Sequence, residues 1–247
     1  MSRLRILLLR SGIIRLARPL YTPLSKLTWF FRFDAWAREN KHLPLNDLPS
    51  KEYYNKRYRL FDYILSKHST PDDPLDYFEF GVADGATFTW WLTKIHHPDS
   101  RFYGFDTFEG LPEDWGIHKK GAFTNDGRVP SFDDTRQSLY KGLFQQTLPA
   151  FLTGYANGRQ KLILLDADLY SSTLFVLTAM APHLQTGDLL IFDEFFSPRH
   201  EFRAYCDFIR AYPHIRLHAL AAINNFTFVA FSVERLASVE PLSPANG

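Results

Sequence analysis

The chain has 247 residues, a length that suits one large α/β domain, and 45% of its residues are hydrophobic, which is enough for a full core. Its 28 Lys and Arg residues nearly balance its 27 Asp and Glu residues, so general binding to nucleic acid by charge is not expected. A single cysteine, Cys206, excludes an internal disulfide framework and a cysteine-based zinc site.

The first 33 residues have a composition of their own. They contain no acidic residue, and their basic residues are Arg3, Arg5, Arg10, Arg15, Arg18, Lys26 and Arg32. Their longest aliphatic run, residues 6–9, is too short to span a bilayer or to form the core of a signal peptide. Three interpretations stay open: a basic amphipathic segment on an anionic membrane, a helix packed on the domain with its Arg side chains in water, or a transit peptide. We predict a cytoplasmic protein, favour the helix packed on the domain, and leave open peripheral contact with the inner face of the membrane through residues 1–33.

The predicted elements after this segment alternate between strands and helices. A helix is predicted at 53–68, and a Pro-rich breaker follows at 69–74. Further strands are predicted at 76–80, 101–105, 139–141, 161–165 and 188–192, further helices at 87–96, 148–155, 172–184 and 202–212, and a closing hairpin at 215–221 and 226–233. This order predicts an α/β fold, with a mostly parallel sheet, helices on both faces and an antiparallel hairpin at one edge. Residues 1–74 are expected to form an N-terminal extension, 75–236 the main domain and 237–247 a flexible tail.

Two features of this pattern bear on the site. Residues 112–134 are rich in Gly, Pro, Asp and Asn, and loops of this length in compact domains are often lids or binding loops. Ser171 or Ser172 is the expected N-cap of the helix at 172–184. Ligands of parallel sheets bind beyond the carboxyl ends of the strands, where the acidic and glycine residues of this chain cluster.

The first such cluster is Glu79-Phe-Gly81-Val-Ala-Asp84-Gly85, between a strand and a helix. Glycine at these positions permits a tight turn and a close approach of the backbone to a ligand. A dinucleotide site needs a second glycine where this chain has alanine, and carboxylates repel a pyrophosphate. The loop therefore favours a cationic nucleoside ligand with an ammonium or sulfonium group, although an ordinary turn with exposed acids is the alternative.

The second cluster is Gly104-Phe-Asp106-Thr-Phe108-Glu-Gly110-Leu-Pro112, at the end of the next strand. An acid at the position of Asp106 can accept hydrogen bonds from both hydroxyls of a ribose, and Phe105 and Phe108 can flank an adenine. A helix N-cap at Asp106 with phenylalanines in the core is the alternative. Because this motif follows the first in the expected order, ribose binding is favoured.

The third and fourth clusters are pairs of acids after two strongly apolar strands. Asp166 and Asp168 follow one strand, and Asp193 and Glu194 follow the next. Carboxylates crowded at adjacent strand ends repel each other unless they share a cation or a proton. Oxygen ligands of this kind suit Mg²⁺ or a similar divalent ion and do not suit zinc, so we predict a metal site, with helix caps and solvated acids as the alternative.

Together these residues resemble the macrocin O-methyltransferase family, which methylates sugars of antibiotics and belongs to the class I methyltransferases. The resemblance runs from about 77 to 196, and its most specific parts are 105–112, 166–170 and Asp193-Glu194. It implies a Rossmann-like seven-stranded sheet, bound S-adenosylmethionine and dependence on Mg²⁺. It further implies that Asp166, Asp193 and Glu194 hold the metal and that Asp166 or Asp168 is the general base. The family usually has a second Asp where this chain has Glu194.

The resulting hypothesis is an O-methyltransferase that acts on a sugar or a glycosylated small molecule. The residues expected to bind the cofactor are Glu79, Gly81, Asp84, Gly85, Thr87, Asp106, Thr107 and Phe108. Two rivals remain, a metal-independent methyltransferase acting on a small molecule or a lipid-linked glycan, and a non-catalytic nucleotide-binding module at the membrane. Nucleic acid is not an expected partner, and assembly into a homo-oligomer is left open.

Overall fold

The computed structural model describes residues 6, 7, 10, 13–69, 72–156 and 158–236. Six longer helices run in chain order as α1 (Ile13–Glu39), α2 (Arg57–His68), α3 (Ala86–Lys94), α4 (Phe144–Thr153), α5 (Tyr170–Met180) and α6 (Glu201–Ala211). Seven strands are β1 (Leu75–Phe80), β2 (Arg101–Asp106), β3 (Gln137–Lys141), β4 (Gln160–Leu165), β5 (Leu189–Phe192), β6 (Ile215–Ile223) and β7 (Phe228–Arg235). The predicted tail at 237–247 lies outside the described residues.

All seven strands form one sheet in the order β3-β2-β1-β4-β5-β7-β6. The first five are parallel to their neighbours, and β7 is antiparallel to both β5 and β6. The order reverses between β1 and β4, which makes their carboxyl ends the expected place for a ligand. The predicted α/β fold with an antiparallel hairpin at the edge is confirmed, and the sheet has the seven strands that the resemblance implies.

The sheet is covered on both faces, which explains why its central strands are apolar along their whole length. Alternate residues of β1 point to opposite sides, so that Phe78 packs with α4 and α5 while Tyr77 packs with α2 and α3. The strands β1, β4 and β5 are almost entirely buried. Burial of this kind stabilises a fold by roughly 1.5–3 kcal/mol for each large apolar side chain.

Helix α1 packs on the domain through its C-terminal half. There Phe33 and Ala37 are buried, and Trp36 lies 4.8 Å from the ring of Phe195. The side chains from 19 to 28 are exposed except for the half-buried Ser25. Within the described ranges, no helix is both long enough and apolar enough to cross a membrane.

The predicted N-cap of α5 is wrong. The helix begins at Tyr170, its N-cap is Leu169, and no side chain caps it. The hydroxyl of Ser171 instead donates a hydrogen bond of 2.6 Å to Glu113 in the long loop. A second difference is that α4 begins at Phe144, four residues before the predicted start, because the backbone turns helical directly after β3.

Candidate active site

A cavity of about 330 Å³ lies beyond the carboxyl ends of β1, β2, β4 and β5. Gly81, Asp106 and Thr107 line one side of it, and the four acids Asp166, Asp168, Asp193 and Glu194 line another. Trp115 and Phe123 from the long loop, and Tyr54 just before α2, supply aromatic surface. The sheet topology therefore brings the predicted cofactor and acid residues to one place.

Gly81 holds the turn that opens this cavity. Its φ is +102°, and its N–H donates a hydrogen bond of 2.9 Å to the carbonyl oxygen of Phe105. A Cβ atom at this position would stand 1.9 Å from the carbonyl oxygen of Asp166. Only glycine therefore lets the end of β1 lie against the end of β4.

Replacing Gly81 with alanine should lower the free energy of unfolding by about 2–4 kcal/mol, because both the backbone angle and the contact with Asp166 become unfavourable. Urea unfolding followed by circular dichroism measures this effect. Gly154→Ala is the matched control, since a Cβ at Gly154 would meet no atom within 4 Å. An equal and small loss in both variants would show that the β1 turn adapts freely.

Asp106 is hydrogen-bonded to the two loops that follow β1 and β2. One carboxylate oxygen accepts hydrogen bonds from the N–H groups of Val82 and Ala83, each of 2.8 Å. The other oxygen accepts one of 2.7 Å from the N–H of Phe108. The carboxylate, which the sequence predicts to bind a ribose, is thus already hydrogen-bonded to the surrounding backbone.

A buried arginine lies among the acids of the cavity. The guanidinium of Arg57 donates a hydrogen bond of 2.8 Å to Asp193 and lies 3.5 Å from a carboxylate oxygen of Asp166. It also donates one of 3.0 Å to the hydroxyl of Thr87, and it lies 3.4 Å from the ring centroid of Tyr54. Its side chain is only 1% exposed. Arg57 therefore supplies positive charge to the deepest acids from within the protein.

One arginine does not neutralise the whole cluster. Burial, then the charges of Asp166 and Glu194, raise the pKa of Asp168 to about 8. Burial, then Asp166, raises the pKa of Glu194 to about 7. Glu201 is fully buried beneath them and accepts a hydrogen bond from the backbone N–H of Glu194, and burial raises its pKa well above the usual range. The site thus holds carboxyls that exchange protons near neutral pH.

The raised pKa of Asp168 predicts a dependence of stability on pH. The folded protein keeps a proton on this carboxyl that the unfolded chain loses at about pH 4, so stability should fall as the pH rises from about 4 to about 8. Asp168→Asn should show a smaller fall of the free energy of unfolding over this range. Urea titrations at about pH 5 and about pH 8 give the free energy of unfolding of both proteins. If it falls by the same amount in the two proteins between these pH values, the assigned pKa is contradicted.

Several residues predicted to bind the cofactor do not line the cavity. Glu79 is buried and accepts a hydrogen bond from the hydroxyl of Tyr77, and Phe108 packs in the core. Asp84 is exposed beside the turn, and Gly85 lies against the ring of Phe132. Thr87 is buried and accepts a hydrogen bond from Arg57. Gly81, Asp106 and Thr107 are the three predicted cofactor residues at the cavity surface.

Arg57 and the aromatic residues of the cavity are absent from the sequence prediction. A signal for Arg57 was available, because it stands four residues before Phe61 and seven before Ile64, on the buried face of α2. A basic residue in register with core positions is a candidate for a buried ion pair. Trp115 and Phe123 lie in a loop without periodicity, where no pattern distinguishes cavity residues from exposed ones.

The side chains at the predicted metal site are not arranged as a set of metal ligands. Among the described residues, no group of three or more His, Cys, Asp or Glu side chains is arranged to hold an ion. One oxygen of Asp193 takes the hydrogen bond from Arg57, while its other oxygen is buried without a partner. That free oxygen and the hard donor set around it fit a divalent cation in chemistry, although the carboxylates do not surround a common point.

Comparison with known proteins agrees with the fold. Residues 78–195 match the model of a methyltransferase domain. The 8-demethyl-8-(2,3-dimethoxy-alpha-L-rhamnosyl)-tetracenomycin-C 4'-O-methyltransferase of Streptomyces olivaceus is 30% identical over 162 residues, which are 57% of this chain and 60% of that relative. The chain thus spans less than two thirds of the length of the relative it matches.

Two solved structures share the fold. The calicheamicin methyltransferase CalS11 is 23% identical, with a TM-score of 0.52 over 72% of this chain and 77% of its own. The O-methyltransferase NovP is 19% identical, with a TM-score of 0.53 over 74% of this chain and 80% of its own. The 30% identity with the Streptomyces olivaceus relative bears out the resemblance to sugar O-methyltransferases that the sequence predicts. Residues 78–195 of this chain thus match a methyltransferase domain, and the chain has the seven-stranded sheet of the class I methyltransferase fold.

Proposed function

We propose that this chain transfers the methyl group of S-adenosylmethionine to a hydroxyl of a sugar or a glycosylated small molecule. The observation that carries the proposal is one cavity that joins a glycine turn and Asp106 to a cluster of acids with raised pKa values. The relative from Streptomyces olivaceus, whose name describes methylation of a rhamnosyl group, supports the acceptor class.

The cofactor side of the cavity suits a cationic nucleoside. Gly81 and Asp106 line the cavity after β1 and at the end of β2, and an acid at the end of β2 is the residue expected to bind the ribose hydroxyls. The acids nearby favour a sulfonium group over a pyrophosphate, since opposite charges attract at short range in a site with little water. Leu143 and Phe144, at the start of α4, supply apolar surface for the adenine.

The acid side of the cavity supplies the base. The acceptor oxygen attacks the methyl carbon in line, the carbon–sulfur bond breaks, and its electron pair returns to sulfur to give a neutral thioether. The hydroxyl proton passes to the carboxylate of Asp168, whose pKa of about 8 suits a base that works near neutral pH. Asp166, the other candidate for this role, lies within reach of Arg57 and is therefore the less available base.

The proposal includes a divalent cation at the acid cluster. Asp166, Asp193 and Glu194 are the residues that would hold it, and the unpartnered oxygen of Asp193 supports this set. A bound Mg²⁺ lowers the pKa of a hydroxyl that it contacts. Without it, Arg57 already provides one positive charge to the same carboxylates, and this contact favours a metal-independent form of the reaction as the second candidate.

A transfer assay separates these possibilities. Labelled S-adenosylmethionine is offered with deoxysugar glycosides, phenols and lipid-linked glycans, with Mg²⁺ or with EDTA. Transfer to a sugar hydroxyl supports the proposal, and a rate that EDTA leaves unchanged supports the metal-independent form. Binding of the cofactor with no transfer to any acceptor would overturn the catalytic proposal in favour of a binding module. Calorimetric titration of S-adenosylmethionine provides the binding measurement.

A further inference from the structure

Residues 19–28 of α1 do not pack into the core of the domain. The helix has 27 residues, about 40 Å in length, and among its described side chains from 19 onward the buried ones, Phe33 and Ala37, lie in its last two turns. Every described side chain from 19 to 28 is exposed, apart from the half-buried Ser25. This part of the helix therefore presents its surface to whatever surrounds the protein.

The exposed surface includes one continuous apolar stripe. Leu20, Leu24, Leu27 and Phe31 follow one another at spacings of four, three and four residues, which places them on one face of a helix. Their side chains are 56%, 57%, 50% and 64% exposed, respectively. Isolated exposed leucines are ordinary, but an aligned row of large apolar side chains indicates a surface that is covered in use.

Charge indicates what covers the stripe. The segment from 1 to 33 carries seven basic residues and no acidic one. Lys26 is exposed on a different face of the helix from the leucines, as in amphipathic helices that lie in the plane of a bilayer. A second copy of the chain would bring two segments of like charge together, whereas anionic lipid headgroups would attract them.

We propose that α1 docks on an anionic membrane surface, with Leu20, Leu24, Leu27 and Phe31 inserted at the boundary between headgroups and acyl chains. Basic side chains of the same segment contact the lipid phosphates. Because Phe33 packs against Phe196, two residues after Glu194, the docked helix is joined directly to the rim of the cavity. This interaction is independent of catalysis and is tested without any measurement of activity.

The test is sedimentation of the full chain with vesicles. We expect the protein to bind vesicles that contain phosphatidylglycerol, to bind those of phosphatidylcholine alone much less, and to be released by salt. The double variant Leu24→Glu with Phe31→Glu should bind at least about tenfold more weakly. The matched control is Ile117→Glu with Val129→Glu, which changes two exposed apolar residues and the net charge by the same amount elsewhere.

Equal weakening by the two double variants would overturn the proposal, because net charge alone would then explain binding. Failure of the unaltered chain to bind anionic vesicles would overturn it as well. Sedimentation velocity without lipid measures whether the chain dimerises through the stripe instead. If the unaltered chain is a dimer that the Leu24 and Phe31 variant dissociates, the stripe is a contact between copies and the membrane assignment is wrong.

Discussion

Replacing Asp193 with asparagine should reduce turnover by about 10²–10³-fold while the affinity for S-adenosylmethionine changes by less than about threefold. Asparagine keeps the shape of the side chain and removes its charge. Asp193 is 1% exposed, contacts Arg57, and has one oxygen without a hydrogen-bond partner; it follows β5, whereas Asp106 ends β2, three strands away in the sheet. Single-turnover transfer and calorimetric titration of the cofactor provide the two measurements.

The controls address folding and location. Asp207→Asn makes the same change on α6, at a residue that does not line the cavity, and should keep full turnover. Glu194→Gln is a second test, because Glu194 is half-buried and its replacement disturbs the core less than a change at Asp193. Loss of cofactor affinity in parallel with turnover would place Asp193 on the cofactor side and contradict its proposed role.

Replacing Arg57 with methionine should lower the free energy of unfolding by about 3–5 kcal/mol, the usual cost of leaving a buried charge without its partner. The variant would leave Asp193 buried with no cation, and it would remove the donor to Thr87. Lysine at this position should rescue only part of the loss, because a single ammonium group cannot reproduce the guanidinium's separate contacts. Urea unfolding at neutral pH measures the effect.

Arg59→Met provides the comparison for this change. Arg59 lies on the same helix and is exposed, and its replacement should lower the free energy of unfolding by less than about 1 kcal/mol. If the Arg57 and Arg59 variants are equally stable, then Asp193 is neutral in the folded protein. Burial and the charge of Asp166 raise the pKa of Asp193, whereas the charge of Arg57 lowers it. The experiment decides which of these effects sets the charge of Asp193.

The sheet was predictable from the sequence because burial on both faces imposes a strong pattern. The strands β4 and β5 differ from their predicted bounds by a single residue at one end, since their apolar runs leave no alternative register. Helix ends were less predictable. Serine is a common helix N-cap, yet the hydroxyl of Ser171 donates a hydrogen bond to Glu113. Glu113 is 58 residues away in the chain, so no local sequence pattern predicts this contact.

The candidate site was predictable in its acids and less so in its surroundings. Carboxylates after apolar strands are expected to meet at one edge of a parallel sheet, and Asp166, Asp168, Asp193 and Glu194 do line one cavity. Arg57 comes from a helix more than 100 residues earlier, and only tertiary packing brings it there. Because Arg57 is so far from the acids in the sequence, the sequence shows four acids with no basic residue near them. A metal ion was therefore the expected source of positive charge.

The bonds that Asp106 makes have a consequence for how a ligand enters. Its carboxylate fastens the backbone at Val82, Ala83 and Phe108 before anything is bound, so the half of the cavity near β1 and β2 is rigid in advance. A nucleoside arriving there orders few protein atoms and loses little affinity to entropy. On the proposed function, differences between acceptors would fall to the long loop, whose Trp115 and Phe123 line the cavity and belong to no strand of the sheet.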